Sequence, residues 1–231
     1  DPGDTTRPGL FLDKISHQGL VGTAVSMPDI EFTGIQLANR VTIADHSPAM
    51  NWWRLARIRN ETGGTINITY SSPDCVPGSR MPAALHANTL RCYPVRWTPE
   101  GYTNPITDYF HKYVVKTIFE IDHTGGAEPN GSPRIIHTYD YLGDPAWHYS
   151  DDDGLIEPKD KTWSVWRGYE RVGVTTGDPG AETYTETRYL RGMHGDRLPD
   201  GETRTVTVTG TGVPTVNDED AYARSEERRV G

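Results

Sequence analysis

Residues 162–178, TWSVWRGYERVGVTTGD, constrain the fold of this chain more than any other stretch. Two Trp, a Tyr, two Arg and a Gly fall within 163–171, and a β-branched run follows. Aromatic and β-branched side chains suit a pleated, half-buried surface, which predicts a strand over 168–176. Gly177-Asp178-Pro179-Gly180 supplies the backbone freedom and fixed φ of a tight connection. A return strand is predicted over 183–190, with Tyr184 and Leu190 on one face and Thr185, Thr187 and Tyr189 on the other. Trp163 and Trp166 lie three apart, so a continuous strand sends them to opposite faces unless the chain bends near Gly168. A flat ligand platform needs neighbouring rings on one face. Trp163, Trp166 and Tyr169 are therefore expected to be buried structural anchors. Arg167 and Arg171 are expected to pair with acidic side chains or carbonyls on the next strand.

The same logic gives a series of hairpins. Strands are predicted over 52–59 and 65–70 around a turn at 61–64, because Ile66, Ile68 and Tyr70 alternate with Thr65, Asn67 and Thr69. Residues 91–97 put Tyr93, Val95 and Trp97 on one face. The segment 108–122 fits a helical stripe and a strand face equally well. Its β-branched density over 114–121 decides for a strand, preceded by a short helical turn near 108–112. A Gly/Pro turn over 124–133 leads to a return strand at 134–141, and TRTVTVT at 203–209 alternates strictly enough to predict another. Before residue 51 the pattern is poor: a short strand over 19–25, another within 30–41, and a loop over 45–49 broken by Pro48. The fold class expected is all-β, consecutive antiparallel hairpins forming a curved or sandwich-like sheet with little helix. Residues 1–50 form a weakly patterned segment, 51–210 the β-rich region and 211–231 a tail.

Residues 224–231, RSEERRVG, resemble the translation of a sequencing-library adapter and are expected to be non-structural, the alternative being a natural charged tail. With that, and with Asp1 in place of a Met, the chain reads as a processed product or a piece of a longer reading frame.

Function classes narrow by exclusion. The net charge of −9 argues against a nucleic-acid platform, and no apolar run approaches the length of a membrane helix. None of the eight His stands in HExxH, and GxSxG and Walker loops do not occur. Asp122 with His123, and Asp108 with His111, could suggest acid–base pairs, but neighbours of this kind arise by chance in such a composition. Asp151-Asp152-Asp153-Gly154 lacks the spacing of a calcium loop and reads as a solvated turn. Asn60-Glu-Thr62, Asn67-Ile-Thr69 and Asn130-Gly-Ser132 match the N-glycosylation triplet, which carries meaning only in a eukaryotic secretory setting. Cys75 and Cys92 are the only cysteines. Three readings compete for them: a metal site, which one pair cannot fill, two unrelated buried thiols, and a disulfide across the Pro-rich loop. The disulfide is favoured, and it would imply an exported protein. No catalytic residue, cofactor or metal is expected.

Two motifs carry a resemblance. Tyr139-Asp140-Tyr141-Leu142-Gly143 fits the Tyr-Asp-x-x-Gly core of YD repeats, and Trp166-Arg-Gly-Tyr-Glu-Arg-Val172 is similar to the Arg-Gly-aromatic-x-Arg-Val stretch just upstream of them. Asn88-Thr-Leu-Arg-Cys-Tyr-Pro-Val-Arg-Trp97, Phe110-His-Lys-Tyr-Val-Val115 and Ala146-Trp-His-Tyr149 extend the likeness over roughly residues 50–200. The chain thus resembles the RHS/YD-repeat family, large bacterial shell proteins that enclose a toxin. It has no regular YD array, no self-cleaving motif and no toxin domain. The resemblance therefore implies a non-catalytic wall segment at or upstream of the start of the repeats, whose partners are the rest of the same polypeptide and its enclosed toxin domain. It also implies a secreted or cell-surface location. The alternative from the residues alone is a secreted carbohydrate-binding or adhesin β-sandwich.

Overall fold

The computed structural model describes residues 10–41, 49–99, 101–124, 132, 134–151, 154–178, 180–210 and 214–223, and the backbone of 226–230. The fold is all-β. One antiparallel sheet of nine strands runs through it, in the order β1 (Lys14–Ile15), β4 (Ile30–Ala38), β5 (Asn51–Arg59), β6 (Thr65–Tyr70), β9 (Val115–Ile121), β10 (Ile135–Leu142), β13 (Arg171–Thr176), β14 (Thr183–Tyr189) and β17 (Glu226–Val230). Spatial order follows chain order throughout. The intervening strands form two-stranded hairpins: β2 (Gln18–Gly19) with β3 (Val25–Ser26), β7 (Cys92–Trp97) with β8 (Ile106–His111), β11 (Ala146–Tyr149) with β12 (Trp163–Gly168), and β15 (Thr207–Val208) with β16 (Val216–Asn217). Helical structure among the described residues is confined to 3-10 turns at Leu85–Ala87, Pro158–Asp160 and Asp220–Tyr222.

Period-2 patterning sets the register at the centre of the sheet. Ile68 lies opposite Ile118, and Ile118 opposite His137. Tyr141 lies opposite Val172, and Val172 opposite Thr187, so Tyr139, Tyr141, Val172, Thr187 and Tyr189 share one face. Asp140, Leu142, Arg171, Glu186 and Arg188 share the other. Gly173 sits between strands because the Tyr184 ring crosses it: a Cβ there would collide with the Tyr184 ring and hydroxyl. The hairpin expected from 168–176 and 183–190 forms between β13 and β14, and the strand expected over 114–121 is present as β9.

The structure corrects several expectations. Residues 108–112 form no helical turn, since β8 pairs with β7 from Ile106 to His111. Asp108 and Phe110 are buried there on alternate positions, and the Asp108 carboxylate pairs with Arg40 and accepts the Tyr109 N–H at 2.8 Å. The stretch 168–176 is not one strand. Gly168 adopts φ 77°, ends β12 and turns the chain through Tyr169 and Glu170 into β13. The strand expected over 19–25 is instead a turn between β2 and β3. Of the predicted 203–209, only Thr207–Val208 is strand. Its earlier part is extended but bonds to a loop, with Arg204 N–H donating to Asp196 O at 2.7 Å. The tail is not free of structure, because β17 pairs with β14 from Glu226 to Val230. Asp152, Asp153, Asn130, Pro179, most of the turn at 124–133 and most of the loop at 45–49 lie outside the described residues.

Candidate functional site

Cys75 and Cys92 form a disulfide with Cα atoms 6.1 Å apart, and both are buried. With Val41, Met81, Leu90 and Tyr109 they make a small core under β7 and β8. The loop they close is a fastening point. Asp74 accepts the Arg91 N–H at 2.9 Å and pairs with Arg80 at 2.9 Å. Arg91 donates to the Tyr169 hydroxyl at 3.2 Å, and Trp147 Nε1 donates to Leu90 O at 2.9 Å.

From this core a continuous chain of rings crosses the molecule. Phe110 meets Tyr93 at 6.0 Å, Tyr93 meets Trp147 at 5.1 Å and Trp147 meets Trp166 at 4.8 Å. Trp166 meets Tyr169 at 5.9 Å and Tyr169 meets Tyr141 at 5.0 Å. Trp147 and Trp166 are cross-strand partners of β11 and β12, the arrangement in which aromatic pairs stabilise a hairpin most directly. Trp163 belongs to a second cluster, opposite Tyr149 at 5.0 Å and near His86 at 5.9 Å, with its Nε1 donating to Arg197 O at 2.9 Å. Tyr169 is buried, while Trp163 and Trp166 are half-buried. The Trp147, Trp166 and Tyr169 rings meet edge to face, not coplanar. Arg171 reaches across to Glu186 on β14 at 3.5 Å, as expected. Arg167 turns to the Asp220 carboxylate at 2.6 Å, on a 3-10 turn instead of the next strand.

A hollow of about 820 Å³ opens between the ring face of the sheet and β12, lined by Tyr139, Tyr141, Trp166, Tyr169, Tyr189 and the Arg167–Asp220 pair. Burial pushes the Tyr141 phenol up to about 12, with smaller contributions from Tyr139 and Tyr169, and its hydroxyl donates to Val115 O at 2.7 Å. Lys112, whose Nζ lies 5.7 Å from the centre of the Trp166 ring, is pushed down by burial and by Arg54. A second hollow of about 560 Å³ contains Arg171 and Arg188, on the opposite sheet face from Tyr141.

The residues singled out as acid–base pairs turn to separate partners. Asp122 accepts the N–H and hydroxyl of Thr124 at 2.9 and 2.7 Å, which holds its carboxyl below the usual range, while His123 Nε2 sits 3.0 Å from Thr65 Oγ1. His111 is pushed down by burial, and its Nδ1 has no hydrogen-bond partner. Among the described residues no group of His, Cys, Asp or Glu could hold a metal, and no helix is long and apolar enough to cross a membrane. Asp108, Asp196 and Asp218 are fully buried carboxylates, and sequence reasoning missed the last two. Asp218 accepts N–H groups from Arg191, Gly192 and Met193 at 2.6, 2.8 and 3.2 Å. Asp196 accepts Tyr149 N–H at 2.9 Å and lies 3.5 Å from Arg204. No spacing rule marks Asp196 or Asp218, because the backbone donors they hold, Tyr149 for Asp196 and Arg191 to Met193 for Asp218, lie far off in the chain. Set against known families, curated proteins and solved structures, the chain matches none.

Proposed function

We propose that this chain is a non-catalytic wall segment of an RHS/YD-repeat shell, which encloses a toxic domain of the same polypeptide outside the producing cell. The observation that carries the reading is the nine-stranded sheet whose spatial order is its chain order. A wall made by adding hairpins one after another needs this topology, because each new strand covers the edge left by the last. The motif residues support it. Tyr139 and Tyr141 of the YD-like motif stand on the ring face, and Gly143 adopts φ 83° directly after β10. In the RGYERV stretch, Gly168 makes the bend, Tyr169 is buried against Tyr141, and Arg171 ties β13 to β14. The disulfide supports an oxidising destination.

The test is to recover the complete reading frame and express it with a protease site placed in the domain that follows the wall. Protection of that site in the folded protein, lost on denaturation, is the expected result. Cleavage at the rate of an unfolded peptide overturns the proposal.

A further inference from the structure

Every residue from 10 to 28 is exposed. Eight of them are large and apolar, among them Leu10, Leu20 and Val21, each at least three-quarters bare. This arm carries β1 and the β2–β3 hairpin. Its ties to the body lie on the surface: two residue pairs between β1 and β4, the Asp13 carbonyl accepting the Phe32 N–H at 2.8 Å, the Phe11 ring 5.8 Å from Trp53, and His17 against Glu61 at 3.1 Å. Strands β2 and β3 have two residues each, and no third strand joins them. A two-stranded ribbon of that size with no buried face is marginal by itself. At roughly 100 Å² for each exposed large apolar side chain, the arm offers on the order of 800 Å² of apolar surface. That is more than the roughly 300–600 Å² of the largest patch on a typical monomer, and it equals the roughly 800 Å² that each partner gives to a standard interface.

Charge narrows the choice of partner. Residues 10–28 hold one acid and one base, Asp13 and Lys14, in a chain of net charge −9. A single lysine is too little for an anionic membrane or a nucleic acid to hold. Two copies of the chain repel through their net charge, and a neutral arm is a surface along which that repulsion is weak. We propose that the arm's occupant is a second copy of this chain. The two arms lie against each other about a twofold axis, and their hairpins join edge to edge into a four-stranded ribbon. One apolar surface then serves both partners, and the open strand edges find main-chain bonds. The dimer does not depend on the shell reading.

Sedimentation velocity on the intact disulfide-bonded chain, from about 1 to 100 μM, tests it. The mass should rise from monomer to dimer and stop there, and the dimer should tighten as salt goes from about 0.05 to 0.5 M, because screening relieves the repulsion while apolar contact persists. Leu20→Asp with Val21→Asp, at the exposed hairpin tip, should weaken the dimer at least about tenfold. Leu155→Asp, at a residue 98% exposed elsewhere on the surface, should leave it unchanged. Amide exchange at 18–19 and 25–26 should slow as the dimer fills. The wild-type concentration series decides by itself should the double variant fail to fold. A monomer at every concentration overturns the proposal and gives the arm to an unlike partner. Growth beyond the dimer overturns the twofold arrangement, and equal weakening by Leu155→Asp overturns the arm as the interface.

Discussion

Replacing Asp218 tests whether a single buried carboxylate organises the loop after β14. Its side chain is fully buried, and its two oxygens accept three consecutive backbone N–H groups, from Arg191 to Met193. The backbone of Asp218 adds a bond at each side, to Val206 O at 3.0 Å and from His194 N–H at 2.8 Å, so the site cannot simply swing into solvent. Asp218→Ala leaves three donors without an acceptor, each costing about 1–3 kcal/mol when buried. Some relaxation and water entry offset part of that, which puts the expected loss at about 3–5 kcal/mol. Asp218→Asn keeps the oxygen facing Arg191 and Gly192 but turns an NH2 toward the Met193 N–H, for a loss of about 2 kcal/mol. Urea denaturation with the disulfide intact measures both, provided the slope is unchanged. Amide exchange at 191–193 should accelerate in the same order. If both variants fall within about 0.5 kcal/mol of the native protein, the carboxylate is not what holds this loop.

Three further outcomes follow from the geometry. Replacing Cys75 and Cys92 together by Ser removes the constraint on a 17-residue separation and should cost about 3 kcal/mol, read as a lower urea midpoint. Trp166→Ala breaks the ring chain between Trp147 and Tyr169 and should cost about 2–4 kcal/mol, with loss of near-ultraviolet dichroism; an unchanged melting curve would refute its role as an anchor. Because the folded Tyr141 phenol titrates near 12 against an unperturbed 10, its contribution is complete below pH 10 and is lost as pH rises from 10 toward 12. Ultraviolet titration should show several late phenols, since burial also raises Tyr93, Tyr109 and Tyr113, with the latest lost in Tyr141→Phe, and the alkaline loss of stability should shrink in that variant.

What could be read from the sequence divides along a physical line. Alternation at 65–70 and β-branched density over 114–121 are local signals, and both strands formed in the expected hairpins, with β5 and β10, whereas their pairing with each other was not foreseen. The hairpin β13–β14 announced itself through its β-branched run and its Gly-rich turn. The helical turn expected near 108–112 did not form, because Asp108 is held in the interior by Arg40 on a strand paired with β7. The TRTVTVT stretch was over-read for the opposite reason. Its pattern was that of a strand, yet Arg204 and Val206 give their N–H groups to Asp196 O and His194 Nδ1. Pattern reports the conformation of a segment but not who supplies the other half of each bond.

The coincidence of spatial and chain order has a consequence for how the protein is made. Every strand of the large sheet pairs with the sheet strand before it in the chain, and the inserted hairpins close on themselves before the chain returns. No strand waits for a partner at the far end of the polypeptide, so contact order is low for an all-β protein of this size. The sheet can therefore be laid down strand by strand as the chain is made, each new strand pairing with the edge left by the one before.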